Sequence, residues 1–310
     1  MGRQANQPLH EGTELDGYRV ERLLASGGFS FVYLARDPAG TPYAIKEYLP
    51  ATLRMRTGAV AALTIPETHR TVFRHGLQCF FAEAKALAGL RHPNVVRVLK
   101  FFRANNTAYM AMRYERGRTL LQVIETQRAR PQESWIRAQF ALLLNGLREV
   151  HLNRLVHLDI KPANVYIRED GTPMLIDFGA ARAALGANLA ELPPTYTPGF
   201  AAPEHHDGRG RLGPWSDIYS VGACMYACVS GEPPPPAIER LQNDAARGLS
   251  QRPAGSYSDD LLRIVEACMR LDPEQRPKSV LALQKALLGE LSAREADEPA
   301  ARPARQAYAV

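Results

Sequence analysis

Residues 157–164 read His-Leu-Asp-Ile-Lys-Pro-Ala-Asn, and residues 177–179 read Asp-Phe-Gly. Between these motifs, two short β-prone runs flank an Asp-Gly pair at positions 170 and 171. An Asp-Gly pair between such runs is typical of a two-strand hairpin. The hairpin would bring Asn164, which precedes its first strand, opposite Asp177, which follows its second. The sequence therefore predicts that the two motifs share one site.

The polar side chains of this predicted site suit the transfer of a phosphoryl group. Asn164 and Asp177 offer the oxygen atoms that Mg²⁺ prefers as ligands. Asp159 offers a carboxylate that can accept a proton, and Lys161 offers a positive charge two residues away. Phosphoryl transfer depends mainly on positioning and on charges placed where the transition state develops its own. These residue types thus predict a magnesium-dependent phosphotransfer site.

The two motifs are followed in order by Ala-Pro-Glu at residues 202–204, by Asp217 and by Arg276. In this order they resemble the motifs of eukaryotic-type protein kinases, and the chain is similar to the Ser/Thr kinases that bacteria also carry. The resemblance implies an α+β, two-lobed fold with a small antiparallel β lobe containing one main helix and a larger α-helical lobe. It also implies that Glu204 pairs with Arg276 and that Asp217 braces the catalytic loop.

The resemblance sets the expected domain boundaries. We expect a kinase domain over residues 18–291, divided into an N-lobe over 18–112, a hinge over 113–117 and a C-lobe over 118–291. The ends of the chain, residues 1–17 and residues 292–310, are polar or rich in Ala, Arg, Glu and Pro. Such compositions predict disordered extensions.

Within the N-lobe, β-prone runs between turn residues predict five strands, over 18–24, 31–35, 43–48, 95–102 and 108–112. Phe80, Ala84 and Leu87 recur at helical spacing, and Gly89 is expected to end that helix. Residues 49–76 show no clean periodicity and are longer than the usual family connection here. We interpret them as an insertion of unassigned role.

The resemblance implies that the nucleotide is ATP and that it contacts Ala25, Gly27, Gly28, Val32, Ala44, Lys46, Glu83, Met112 and Tyr114. Related kinases cover the phosphates with a Gly-x-Gly-x-x-Gly loop. Here only the middle glycine of that motif is kept, as Gly27, with Ala25 and Ser30 at the outer positions. The neighbouring Gly28 preserves some of the backbone freedom that the loop requires.

The same resemblance assigns individual roles to the charged residues. Lys46 matches the strand lysine that contacts the α- and β-phosphates, and Glu83 matches its helix partner, although Glu47 is a second candidate. Asp159 matches the catalytic base, and Lys161 would neutralise the transferring phosphate.

The implied metal cofactor is Mg²⁺, held by Asn164 and Asp177. Asn164 is therefore assigned both to the catalytic group and to the metal ligands.

Substrate class and control are also implied by positions in the motifs. Lys161, together with Thr197 before Pro198, follows the Ser/Thr pattern rather than the tyrosine-kinase pattern. Many kinases have an arginine at the position of Leu158, where it holds a phosphorylated activation loop. Residues 180–194 contain no Ser, Thr or Tyr. We therefore expect activity without activation-loop phosphorylation.

The composition is compatible with a protein kinase, and it argues against nucleic-acid binding and against a membrane span. The 310 residues carry a net charge of +6, with a sequence pI near 9.2 and 45% hydrophobic residues. The arginines are scattered without a dense basic run, so we expect no nucleic-acid partner, and a positive charge also suits polyanionic ATP. No apolar run is long enough to predict a membrane span. The four cysteines lack a Cys-x-x-Cys pair, which favours reduced thiols and a cytoplasmic location.

Two alternatives remain at this stage. Ala25, Ser30 and Leu158 depart from the family pattern, which would suit a pseudokinase that acts as a scaffold or nucleotide-binding module. A small-molecule phosphotransferase on the same fold is the other alternative. The expected partners of the favoured interpretation are protein substrates of unknown identity, with autophosphorylation as a further reaction.

Overall fold

The computed structural model describes residues 6–53, 55–56, 60–126, 130–178, 197–206, 212–243, 249 and 257–290. These residues form two compact units, which we call the first and the second unit. Among the described residues, the first unit contains 6–91 and 96–115, and the second contains 92–95, 116–178 and 197–290. The chain passes from one to the other within the segment 113–117 that we expect to be a hinge. The predicted tail over 292–310 lies outside the described residues.

A six-stranded antiparallel sheet forms most of the first unit. Its strands are β1 (Glu14–Leu15), β2 (Tyr18–Ser26), β3 (Ser30–Arg36), β4 (Pro42–Tyr48), β5 (Val98–Ala104) and β6 (Thr107–Arg113), in the spatial order β1-β2-β3-β4-β6-β5. The turn between β3 and β4 is fixed by Asp37, whose carboxylate accepts a 2.8 Å hydrogen bond from the backbone of Thr41. Gly40 supplies the left-handed conformation of this turn, with φ of 82°. The predicted three-strand meander is confirmed.

Strand β5 begins later than predicted. Val96 and Arg97 precede the strand within the first unit, and Val95 belongs to the second unit. There, Val95 bridges Leu175, and the Asn94 side-chain amide donates a 2.6 Å hydrogen bond to the carbonyl of Pro173. The apolar run from Val95 to Phe102 therefore covers two structural units rather than one strand.

The main helix of the first unit is α1 (Arg70–Ala88), preceded by a 3-10 turn at Glu67–His69. The helix buries Phe73, Phe80, Ala84 and Leu87 along one side, and it ends before Gly89 as predicted. The insertion predicted over residues 49–76 is therefore wrong at its C-terminal end, where residues 70–76 are helical. The start of this helix was not predicted because Gly76 lowers the helix propensity of these residues.

The prediction of a disordered N-terminal extension is also wrong for residues 6–17. Glu14–Leu15 pairs with β2, Leu15 is buried, and the backbone nitrogen of Leu9 donates a 3.1 Å hydrogen bond to the Tyr33 hydroxyl. The segment buries only Asn6, Leu9 and Leu15, while most of its polar residues are exposed to solvent. A polar composition alone therefore does not distinguish a segment that pairs with the sheet from a disordered one.

The second unit combines a small sheet with most of the helices. Its antiparallel strands are β7 (Gly117–Thr119), β8 (Val165–Arg168) and β9 (Pro173–Leu175), in that order. Its helices are α2 (Leu120–Thr126), α3 (Glu133–Leu152), α4 (Pro214–Ser230), α5 (Ala237–Gln242), α6 (Asp259–Cys268) and α7 (Val280–Leu287). Strands β8 and β9 form the predicted hairpin, with Gly171 at φ of 83° in its turn.

Helix α4 is the most deeply buried element of the second unit, with every residue from Ser216 to Ser230 buried. It carries two of the four cysteines, and burial raises the pKa of the Cys228 thiol to about 12. All four cysteines lie within the described residues, and none forms a disulfide. Among the helices of the described part of the chain, none is both long and apolar enough to cross a bilayer.

Candidate active site

The motif at residues 157–164 forms a compact cluster of side chains. The Lys161 ammonium donates hydrogen bonds of 3.0 and 2.8 Å to the two carboxylate oxygens of Asp159. The Asn164 amide nitrogen donates to the backbone oxygen and to one carboxylate oxygen of Asp159, at 2.8 and 2.9 Å. Pro162–Asn164 forms a single 3-10 turn that places these groups on the same side. A carboxylate, a cation and an amide therefore converge on one point.

The backbone of this loop is fixed by Asp217, which is fully buried in α4. Its carboxylate accepts hydrogen bonds from the backbone nitrogens of His157 and Leu158, at 2.9 and 2.8 Å. Leu158 has a φ of 62°, an uncommon value for a residue other than glycine. The two hydrogen bonds to the Asp217 carboxylate hold the chain in this conformation.

Sequence analysis missed His151, whose Nε2 lies 2.8 Å from the Asp217 carboxylate. Burial alone would raise the pKa of Asp217. The hydrogen bond and charge of His151, the charge of His157 and the backbone hydrogen bond from His157 outweigh burial, so the pKa of Asp217 is lowered. His151 is the last-turn residue of α3, and only its helical position could have indicated this contact.

The hairpin brings the second motif to the first, as predicted. The backbone nitrogen of Ile176 donates a 3.0 Å hydrogen bond to the carbonyl of Asn164. The ring of Phe178 lies 4.2 Å from the ring of His157, measured between centroids. Asp177 has a φ of 59°, another strained value. Strained residues other than glycine are concentrated at functional sites, which supports an active role for this corner of the hairpin.

In the first unit, the predicted pair of Lys46 and Glu83 is present. The Lys46 ammonium donates a 2.9 Å hydrogen bond to the Glu83 carboxylate, and both side chains are 8% exposed. The ammonium also lies 5.6 Å from the centroid of the Phe80 ring, a cation–π distance. Glu47, the second candidate, lies on the opposite face of β4 and pairs with Arg56 instead.

Strand register places several predicted nucleotide contacts on the same face as Lys46. Val32 is the cross-strand partner of Lys46 and of Ala25, and Ala44 is the partner of Met112. Because side chains alternate along a strand, these small and apolar residues share one face of the sheet. Tyr114 follows β6 directly, and Gly27 and Gly28 occupy the turn between β2 and β3. The assignment of all these residues to a nucleotide remains a prediction.

A buried ion pair stabilises the second unit near the Ala-Pro-Glu motif. The Arg276 guanidinium donates hydrogen bonds of 2.7 and 2.9 Å to the two carboxylate oxygens of Glu204. The Ser216 hydroxyl donates to the same carboxylate at 2.8 Å. Burial would raise the pKa of Glu204, but the hydrogen bond and charge of Arg276 outweigh it, so the pKa is lowered.

The model of the protein kinase domain family matches residues 18–288 of this chain. A solved structure described as "PpkA-294 apo form" is 33% identical, with a TM-score of 0.83. The match covers 90% of this chain and 99% of that one. The fold and the order of the motifs are therefore those of a known class of proteins.

Two curated bacterial relatives match nearly the whole chain. One is "Serine/threonine-protein kinase C" of Synechocystis sp., 28% identical over 89% of this chain and 50% of its own length. Another is "Probable serine/threonine-protein kinase PkwA" of Thermomonospora curvata, 29% identical over 87% of this chain and 34% of its own length. The chain thus spans half or less of the length of these relatives.

Proposed function

Because this chain belongs to the protein kinase family, we propose that it transfers the γ-phosphate of ATP to serine and threonine hydroxyls of proteins. The observation that carries the proposal is the cluster in which Lys161 and Asn164 both donate hydrogen bonds to the Asp159 carboxylate. A scaffold would not need this cluster together with a buried Lys46–Glu83 pair. Catalysis therefore explains the residues better than the pseudokinase alternative does.

The residues of the second unit have distinct roles in this proposal. Asp159 orients the substrate hydroxyl and accepts its proton, and Lys161 neutralises charge on the transferring phosphate. The amide nitrogen of Asn164 is engaged with Asp159, which leaves its oxygen as the atom for a metal. Carboxylate and amide oxygens form a donor set that fits Mg²⁺, with Asp177 as the second ligand. When bound, Mg²⁺ supplies positive charge to the phosphates.

The first unit would hold the nucleotide. The Lys46 ammonium, oriented by Glu83, would contact the α- and β-phosphates. Val32, Ala44 and Met112 offer a small, apolar surface on the same face, which suits the adenine ring.

Protein substrates, including the chain itself, belong to the same proposal. The names of the relatives and the Ser/Thr pattern of Lys161 support it. A cytoplasmic location is supported by the four cysteines, which form no disulfide.

We also propose that activity does not require phosphorylation of the activation loop. Leu158 offers no charge for a phosphate, and its backbone is held by Asp217 rather than by a loop residue. Thr195 and Tyr196 lie outside the described residues. Protein treated with a phosphatase, and a Thr195→Ala/Tyr196→Phe variant, should retain the activity of the untreated wild type. Loss of activity that returns on rephosphorylation would contradict this proposal.

Phosphate transfer from labelled ATP and Mg²⁺ tests the main proposal. The wild type is compared with Asp159→Asn and Asp177→Ala, using the protein itself and a host lysate as acceptors. Asp170→Asn, in the exposed turn of the same hairpin, is the matched control. We expect label with the wild type and the control, and labelling that is slower by about 100-fold or more with the two site variants. Labelling by Asp159→Asn at the wild-type rate, or no label with the wild type, would contradict the proposal.

A further inference from the structure

The tip of the predicted phosphate-covering loop, residues 25–30, is hydrogen-bonded to the chain that follows β4. The backbone nitrogen of Leu49 donates to the carbonyl of Phe29 at 2.8 Å, and that of Ala51 donates to the carbonyl of Gly28 at 2.7 Å. These two bonds continue the β3–β4 ladder beyond its last register pair, Ser30 with Tyr48. The position of the loop tip therefore depends on where residues 49–51 lie.

One side chain from the N-terminal segment in turn holds Pro50, Leu53, Met55 and Arg56, in the segment that follows β4. Asn6 is 6% exposed, and its amide nitrogen donates to the carbonyls of Pro50 and Leu53 at 2.9 and 2.7 Å. Its amide oxygen accepts from the backbone nitrogens of Met55 and Arg56 at 2.7 and 3.0 Å. One buried amide thus satisfies four backbone groups of the segment.

A buried polar network fixes the same segment to the outer face of the sheet. The Arg56 guanidinium, which is 2% exposed, forms a two-point ion pair with the Glu47 carboxylate. Hydroxyls of Tyr33 and Tyr109 donate to that carboxylate at 2.8 and 2.6 Å. Because Glu47 follows Lys46 in β4, this network anchors the segment directly behind the predicted phosphate site.

We propose that Asn6 is a positioning residue for ATP, acting through residues 49–53, 55 and 56 on the predicted phosphate-covering loop. The loop lacks the two outer glycines of the family pattern, with Ala25 and Ser30 in their places. Its backbone must still present amides to the phosphates at a fixed distance. The tether from Asn6 holds the loop tip in place from outside the motif. This inference rests on the proposed function, since it concerns the ATP site of that reaction.

Asn6→Asp is the sharpest test, because it keeps the shape and the oxygen acceptor but loses the donors to Pro50 and Leu53. Loss of these two buried hydrogen bonds, with a carboxylate oxygen now facing two carbonyl oxygens, predicts a rise of about tenfold or more in the Kd for MgATP. The kcat at saturating ATP and the KM for a peptide substrate should stay within about twofold of the wild type. Asn6→Leu removes all four hydrogen bonds and should have a larger effect on the same Kd. Asn6→Ser is a third variant. If one of the three does not fold, the other two can still be compared with the wild type.

The control is Leu15→Ala, which removes a buried apolar side chain from the same N-terminal segment. It should lower the free energy of unfolding without changing the Kd for MgATP. Hydrogen exchange provides a readout that does not depend on nucleotide. The amides of Leu49 and Ala51 should exchange faster in Asn6→Asp than in Leu15→Ala at matched global stability.

An unchanged Kd in the Asn6 variants, or an equal rise in Leu15→Ala, would overturn the inference. Unchanged exchange at Leu49 and Ala51 would overturn it as well. A wild type that binds MgATP but transfers no phosphate would contradict the proposed function alone. The Kd for MgATP and the exchange rates would still test whether Asn6 positions the predicted phosphate-covering loop.

Discussion

The proposed catalytic loop, residues 157–164 of the second unit, and the predicted phosphate-covering loop, residues 25–30 of the first unit, are supported in different ways. In the catalytic loop, Asp159 is bound by its near neighbours Lys161 and Asn164, with Asp217 as the main distant support. In the other loop, support comes through residues 49–53, 55 and 56 from Asn6, which is 44 to 50 positions from its hydrogen-bond partners in the sequence. The first loop departs from the family motif at Leu158, and the second departs at both outer glycine positions, Ala25 and Ser30. In this chain, the loop with the weaker match to its motif has additional support from a residue outside that motif.

The largest expected effect separates chemistry from nucleotide binding. Asp159→Asn removes the proposed base while preserving the shape of the side chain. We expect kcat to fall by about 10²–10⁴-fold, the usual contribution of a positioned general base. The Kd for MgATP should remain within about twofold, because ATP contacts are proposed on Lys46. Steady-state kinetics and calorimetry measure the two quantities, and a variant that loses ATP affinity but keeps its kcat would reverse the assignment.

The next effect concerns the stability of the second unit. Arg276→Met leaves the buried Glu204 carboxylate without its charged partner. Breaking such a pair costs about 3–5 kcal/mol, so the free energy of unfolding should fall by about that amount. Denaturant titration measures this change. In the double variant Glu204→Leu/Arg276→Met, both charges are gone and much of the loss should be recovered, whereas additive losses would show that the pair itself contributes little.

A smaller effect concerns the helix that carries Glu83. A Cβ at position 76 of α1 would contact the Tyr48 hydroxyl and lie 2.7 Å from its Cζ, too close without movement. Overpacking of this kind costs about 1–3 kcal/mol. We expect Gly76→Ala to lower both stability and MgATP affinity, since α1 must shift with Glu83.

Gly89→Ala is the matched control for this helix, because its Cβ would meet nothing closer than 3.8 Å. Adding Tyr48→Leu to Gly76→Ala should restore part of the affinity. A Gly76→Ala protein that is more stable than the wild type would show that helix propensity outweighs the clash.

From the sequence, the candidate site of the second unit could be predicted better than the contacts that hold the predicted phosphate-covering loop of the first unit. The hairpin, the Asp159 cluster and the Glu204–Arg276 pair follow from short-range patterns or from motifs in a fixed order. Asn6 was not predicted, because a single asparagine in a polar segment carries no periodic signal. The Arg56–Glu47 pair was not predicted for a similar reason, because it depends on which face of β4 carries the Glu47 side chain. Buried polar contacts over long sequence separations, such as those of Asn6 and Arg56, could not be predicted where no known motif includes their residues.

The smallest expected effect is a difference in acid sensitivity between the two units. Several groups of the second unit have a lowered pKa, including His157, His205, Glu204 and Asp217. For the histidines burial is the main cause. The unfolded chain therefore binds more protons than the folded chain once the pH falls below the usual histidine pKa, and stability declines.

A second decline should begin near pH 4, where the unfolded carboxylates bind protons while Glu204 and Asp217 remain ionised, and each pKa unit corresponds to about 1.4 kcal/mol. Both tryptophans, Trp135 in α3 and Trp215 in α4, lie in the second unit, so their fluorescence follows that unit alone. Acidification from pH 7 should lower the denaturation midpoint reported by tryptophan before it accelerates exchange at the amides of Leu49 and Ala51. Simultaneous changes at both probes would mean that the two units unfold together. The different contacts that hold the two loops would then not produce a difference in stability between the units.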